Sequence, residues 1–170
     1  MSVIHDVKCS GLFMKLVLLQ TGKTTDKNLS EIAGLYTSRI SKYHAFDVIT
    51  LPDLRNTRNM PVEEQKVKEG KKILQYLNPD DFIVLLDERG KEYRTIELAG
   101  WLEKIFITSN KRVVFIIGGP WGFSKEICGM SDLRISLSKM TFPHQLVRLL
   151  FLEQLYRAFT IIKGEPYHHE

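Results

Sequence analysis

Five short apolar runs, separated by segments of helical length, constrain this chain more than any other feature. "KLVLLQTG" (15–22), "FDVITL" (46–51), "DFIVLLD" (81–87), "RVVFIIGG" (112–119) and "DLRISLS" (132–138) read as strands. Between the first two, Leu29, Ile32, Ala33, Tyr36 and Ile40 recur at helical spacing within 26–43. Residues 62–77 form a charged helix with a thin apolar stripe, and 95–108 are amphipathic, with Thr95 placed to act as N-cap. The last helix spans 143–162. Strands alternating with helices in this way predict an α/β layer with a mostly parallel sheet. Two connections stand out. "PDLRNTRNMP" (52–61), polar and bounded by prolines, reads as a mobile loop, and "ERGKEY" (88–93) as a turn.

At 170 residues the pattern fits one domain, large enough to bury a core without disulfide or metal staples. The formal net charge of +4 suits a polyanionic partner such as nucleic acid, though charge alone does not decide it. Cys9 and Cys128 have neither metal-ligand spacing nor a disulfide framework, which points to a reducing, cytoplasmic setting. The opening "MSVIHDVKCSGLF" has no unbroken apolar core, so it is not read as a signal peptide. Ordered patterning begins at Met14; residues 1–13 are expected to be a disordered extension of a domain covering 14–170. The stretch closest to a membrane span, 146–162, is interrupted by Arg148, Glu153, Gln154 and Arg157, so no membrane partner is expected.

Ligands of open α/β sheets bind beyond the carboxyl ends of the strands. Three such ends are suggestive: "VLLD" at Leu86 and Asp87, "IIGGPWG" from Gly118 to Gly122, and "LSKMTF" from Leu137 to Phe142. The glycine segment fits neither a P-loop nor a dinucleotide fingerprint. Gly118 and Gly119 permit a bend and a close ligand approach; a tight strand-to-helix turn is the alternative. The last helix is apolar nearly all round, from Leu146 to Ile162, and must be covered on several sides, which suggests a subunit interface. Within it, Glu153 and Arg157 are spaced for an ion pair. The chain closes on "EPYHHE", where two adjacent histidines diverge and lack companion ligands, so no metal is expected.

The glycine loop, the block "ISLSKMTFPHQLVRLLFLEQLYRAFTI" and the closing "PYHHE" together resemble the RlmH family of SPOUT-class methyltransferases, over Met14 to Glu170. The resemblance implies an α/β knot, a single SPOUT domain with a C-terminal trefoil knot, acting as a homodimer. It implies methylation of N3 of a pseudouridine in the helix 69 stem-loop of 23S rRNA in the ribosome, with S-adenosylmethionine as donor. It places the cofactor at Leu86, Gly118 and the run Leu137, Ser138, Lys139, Met140, Thr141 and Phe142. His144, Arg157, Tyr167 and His168 fall on its substrate and catalytic positions. On physical grounds His168 or His144 could take the N3 imide proton, Arg157 could stabilise the developing charge and Tyr167 could stack on the base; positioning with solvent as proton acceptor is the alternative to a dedicated base. His169 stands where the family more often has a basic residue. Two alternatives remain open: a non-catalytic ribosome-binding module of the same fold, and a SPOUT enzyme with another RNA target.

Overall fold

The structure is a computed structural model and describes residues 14–168. The expected N-terminal extension, with Cys9, and the last two residues, His169 and Glu170, lie outside the described residues. Ten elements follow in order: β1 Leu16–Thr21, α1 Lys27–Ile40, β2 Phe46–Leu51, α2 Val62–Leu74, β3 Phe82–Glu92, α3 Thr95–Thr108, β4 Val113–Ile117, α4 Lys125–Met130, β5 Leu133–Ser136 and α5 His144–Ile162. The strands form one sheet in the order β2-β1-β4-β3-β5, and every pairing is parallel.

Because successive strand residues point to opposite faces, each central strand feeds two cores. Leu16, Leu18, Val84, Val113 and Phe115 face one way, against Leu98, Leu102, Phe151 and Leu155 of the α3 and α5 helices. Val17, Leu19, Leu85, Val114 and Ile116 face the other, against Ile73 of α2 and Ile127 of α4. Burial on both faces is why the strands read as unbroken apolar runs rather than as alternating ones. Phe115 and Phe151, with ring centroids 4.8 Å apart, lock α5 to the sheet centre.

Consecutive strands β4 and β5 lie on opposite sides of β3. Their connection therefore passes the carboxyl end of β3 and draws three loops to one place. The expected turn at 88–93 is corrected here, because β3 continues to Glu92. Leu86 and Lys91 both oppose Ile135, so residues 87–90 bulge from the ladder and the strand then resumes pairing with β5. Gly90 makes this possible: a Cβ there would lie 2.6 Å from the Arg134 carbonyl carbon and 2.7 Å from the Ile135 backbone. Arg94, not Thr95, is the N-cap of α3; its N–H donates to Glu97 Oε2 at 2.8 Å. The Thr95 hydroxyl instead donates to Gln154 Oε1 on α5 at 2.9 Å. The loop 52–61, expected to be mobile, is tied to α2 at both ends. Lys72 Nζ donates to the carbonyls of Pro52 and Asp53, and Gln65 Nε2 donates to that of Met60 at 2.8 Å.

Candidate active site

The three loops drawn together at the carboxyl ends of β3, β4 and β5 enclose a cavity of about 520 Å³. That is within the usual range for a small-molecule site. Leu86, Gly118, Leu137, Ser138, Met140, Thr141 and Phe142 line it, so seven of the eight positions expected to hold a cofactor share one wall. Lys139 points its side chain out, 3.7 Å from Glu92. The loop after β5 is held by its own serines: Ser136 Oγ donates to the Ser138 carbonyl at 2.9 Å, and Ser138 Oγ accepts from Met140 N–H at 3.0 Å. Ile117, Ile135 and Val147 supply apolar surface, while Asp87, Glu88 and Arg89 supply charge. An apolar wall beside charged groups of both signs, Asp87 and Glu88 with Arg89 and Arg134, suits a ligand that is aromatic at one end and carries both charges at the other.

Gly118 has a different reason for being glycine than ligand approach alone. A Cβ there would meet the Phe123 ring at 3.0 Å, so the residue lets the loop fold onto that ring. Gly119 packs on the Glu69 carboxylate, which would lie 2.5 Å from a Cβ and accepts the Gly119 N–H at 3.3 Å. Burial pushes the Glu69 carboxyl above its ordinary range, against the pull of that hydrogen bond.

Of the four catalytic candidates, only His144 lines the cavity. It opens α5 directly after Pro143, whose fixed φ suits the start of a helix. Burial lowers its pKa, the positive Arg148 lowers it further, and Asp53 partly opposes both. His144 is therefore a neutral imidazole at neutral pH, able to accept a proton.

Arg157, Tyr167 and His168 sit at the other end of α5. Thirteen residues of helix separate Arg157 from His144, a rise of about 20 Å. There Arg157 and Glu153 form the expected ion pair, with Arg157 Nε donating at 3.0 Å. The Arg157 guanidinium lies 4.8 Å from the centre of the Tyr167 ring, which meets the Tyr156 ring edge-on at 4.9 Å. Tyr167 Oη is 3.4 Å from both Tyr36 Oη and Glu153 Oε1. The hydrogen bond with Tyr36 and burial push the Tyr167 phenol up to about 12, so it stays protonated. Both ring nitrogens of His168 are out of water with no hydrogen-bond partner.

One charged residue has no role in the sequence reading, where it figures only as an interruption of an apolar run and within the helix-start block the family resemblance rests on. Arg148, one turn after His144, is 1 % exposed. Its guanidinium donates to Thr24 Oγ1 at 2.9 Å and to the Thr21 carbonyl, tying α5 to the end of β1. Its Nε has no partner, and burial lowers its pKa. The available signal was its place on the helix face of Phe151, Leu152 and Leu155, three, four and seven residues on.

The sequence profile of a family described as predicted SPOUT methyltransferases matches residues 14–168. Ribosomal RNA large subunit methyltransferase H of Phocaeicola vulgatus is 51% identical over 157 residues, covering 92% of this chain and all of that one. The protein of the same name from Christiangramia forsetii is 48% identical over 156 residues, covering 92% and 99%. The crystal structure of a probable methyltransferase from Bordetella pertussis Tohama I shares the fold at a TM-score of 0.50 and 12% identity, over 85% of this chain and 93% of that one. With that profile spanning the described residues and relatives matched end to end, the chain belongs to the SPOUT methyltransferase family, among the ribosomal RNA large subunit methyltransferases H.

Proposed function

We propose that this protein is an S-adenosylmethionine-dependent methyltransferase acting as a homodimer on N3 of a pseudouridine in the helix 69 stem-loop of 23S rRNA. One observation carries the reading: the cavity at the ends of β3, β4 and β5 has the neutral His144 in its wall. The wall residues fit the cofactor: Leu86, Leu137 and Phe142 offer apolar surface to an adenine, and Asp87 and Glu88 offer charge to a cationic group. S-adenosylmethionine, when bound, supplies an electrophilic methyl group on a sulfonium sulfur. A ring nitrogen of His144 accepts the N3 imide proton as the nitrogen lone pair is committed to the new bond. Pro143 and the first turn of α5 hold that imidazole beside the cavity, which removes the search for orientation that an in-line displacement needs.

A single chain keeps its other catalytic candidates about 20 Å away, which supports a site completed by a second protomer. Leu146, Leu149 and Leu150 of α5 are half-buried and pack into neither core, and Ile32 and Leu35 of the neighbouring α1 are exposed. An isologous pairing through this face would cover them and bring a second Tyr167 and His168 to each cavity. The knot the family implies is compatible with β5 lying gripped beneath the 87–91 arm of β3.

The deciding experiment incubates the protein with S-adenosylmethionine and ribosomes lacking the modification, then maps methylation by mass spectrometry. Methyl transfer to the helix 69 pseudouridine is expected. Transfer elsewhere would overturn the target alone; cofactor binding without any transfer would favour the non-catalytic module.

A further inference from the structure

We propose that the 52–61 loop and Trp121 form a platform for an unpaired nucleotide flanking the target. The Trp121 ring would stack on a base, and Arg55 and Arg58 would contact phosphates. This rests on the functional reading above and extends it from the cavity rim at Trp121 to the 52–61 loop, away from the α5 tail.

Trp121 stands between Pro120 and Gly122 of the glycine loop and is 51 % exposed. An indole left half in water presents an aromatic face that a partner can cover. Its orientation is fixed, because Nε1 donates to Gln65 Oε1 at 3.1 Å. The Gln65 amide turns its other end to the loop, donating to the carbonyl of Met60 at 2.8 Å and of Thr57 at 3.4 Å. One side chain thus joins the indole to the segment carrying Arg55 and Arg58. At the loop's start Lys72 holds Pro52 and Asp53, and at its tip Asn56 takes a left-handed turn with φ 57°. Asparagine tolerates that conformation well.

Arg55 and Arg58 are exposed and make no ion pair among the described residues. Nearby Lys66 is already matched by Glu63 at 2.8 Å. The platform therefore presents two uncommitted guanidiniums beside a preorganised aromatic face. That is the composition that tracks single-stranded nucleic acid without reading its sequence. Its position agrees: Trp121 is part of the cavity wall, so nucleotides adjoining a base bound there would cross its rim.

The test measures binding of an unmodified helix 69 hairpin transcript without cofactor, as a function of salt, for the full chain and three variants. Arg55→Ala/Arg58→Ala should lower the salt slope by about 1.4, the value for two lost phosphate contacts on a single strand. The same double variant should keep parent affinity for S-adenosylmethionine by calorimetry. Trp121→Ala should weaken RNA binding about fivefold or more, and Trp121→Phe should restore most of it. An unchanged slope in the double variant, or Trp121→Phe as weak as Trp121→Ala, overturns the platform. Loss seen with large ribosomal subunits but not with the transcript also overturns it, by indicating a protein contact. So does parent binding too weak to register on either RNA. If the variants behave as expected but the parent transfers no methyl group to ribosomes, the platform stands and the enzymatic reading falls.

Discussion

Gly90→Ala is the smallest change that tests how the cavity is built. A Cβ at Gly90 would lie 2.6 Å from the Arg134 carbonyl carbon and 2.7 Å from Ile135 N and C. Ordinary contact begins near 3.4 Å, so the 87–91 arm and β5 must separate by about 0.8 Å. All three atoms are backbone, and no rotamer change relieves the clash. Overpacking typically costs about 1–3 kcal/mol, and a rigid neighbour places this case in the upper half. For a chain of this size that is a fall in Tm of about 4–12 °C. Because β5 leads directly into the cofactor loop, affinity for S-adenosylmethionine should fall with it, about tenfold if 1.4 kcal/mol of the displacement reaches the cavity. Gly100→Ala is the control. Gly100 is exposed within α3 with nothing near its absent Cβ, so alanine should add about 0.5–1 kcal/mol. Thermal unfolding and calorimetry of both variants decide the matter. Parent-like stability and cofactor affinity in Gly90→Ala would refute the close backbone packing of β3 on β5.

Leu150→Glu should convert a dimer to a folded monomer by sedimentation, since Leu150 packs into neither core. Phe151→Glu should instead unfold the chain, because Phe151 is buried against Phe115. Methylation should be lost as pH falls below about 6.5, the ordinary histidine value, because the lowered pKa of His144 keeps it an acceptor above that. The same depression makes stability fall with pH in that range, as the unfolded state takes up the proton first; His144→Ala should flatten both responses and cut single-turnover rates about a hundredfold. Tyr167→Ala, which removes ring contacts with Tyr156 and Arg157, should lower turnover at least about tenfold and leave cofactor affinity unchanged.

The sheet was legible because burial on both faces makes each strand a dense apolar run, and all five appear where those runs lie. What the runs could not give was their order. Placing β4 between β1 and β3 depends on long-range pairing, yet it is this order that brings the three site loops together. The helix α4 went unread: six residues with one buried side chain, Ile127, carry no periodicity. Its visible signal was Ser124, whose side chain accepts from Ile127 N–H. The second limb of β3 reads as a turn because Glu88, Arg89, Lys91 and Glu92 look solvent-bound, and all four are exposed; only Lys91 and Glu92 rejoin the ladder, opposite Ile135 and Ser136. The positions that the family resemblance assigns to a cofactor nearly all line the cavity, whereas little in the sequence beyond its helix face marks Arg148 as buried, because a buried guanidinium contradicts the composition of the helix around it.

The separation of His144 from the tail leads to the last prediction. From His144 to Ile162 the helix rises about 27 Å. Residues 163–168, drawn out fully, reach about 20 Å. To turn back along its own α5, the tail would also have to release Tyr167 from Tyr36, Tyr156 and Arg157. Pairing with a second protomer requires no such release if the two α5 helices run antiparallel, for then each tail lies beside the other cavity. Mixing His144→Ala and Tyr167→Ala proteins separates the two arrangements. If the site is shared, each mixed dimer contains one site with both residues intact and one with neither. Random exchange at equal concentrations then restores about a quarter of the parent single-turnover rate, although each variant alone is impaired. If one chain supplies both residues, every site in the mixture has one defect and no activity returns. Exchange confirmed by mass spectrometry with no recovery would assign the tail to its own cavity and refute the shared site.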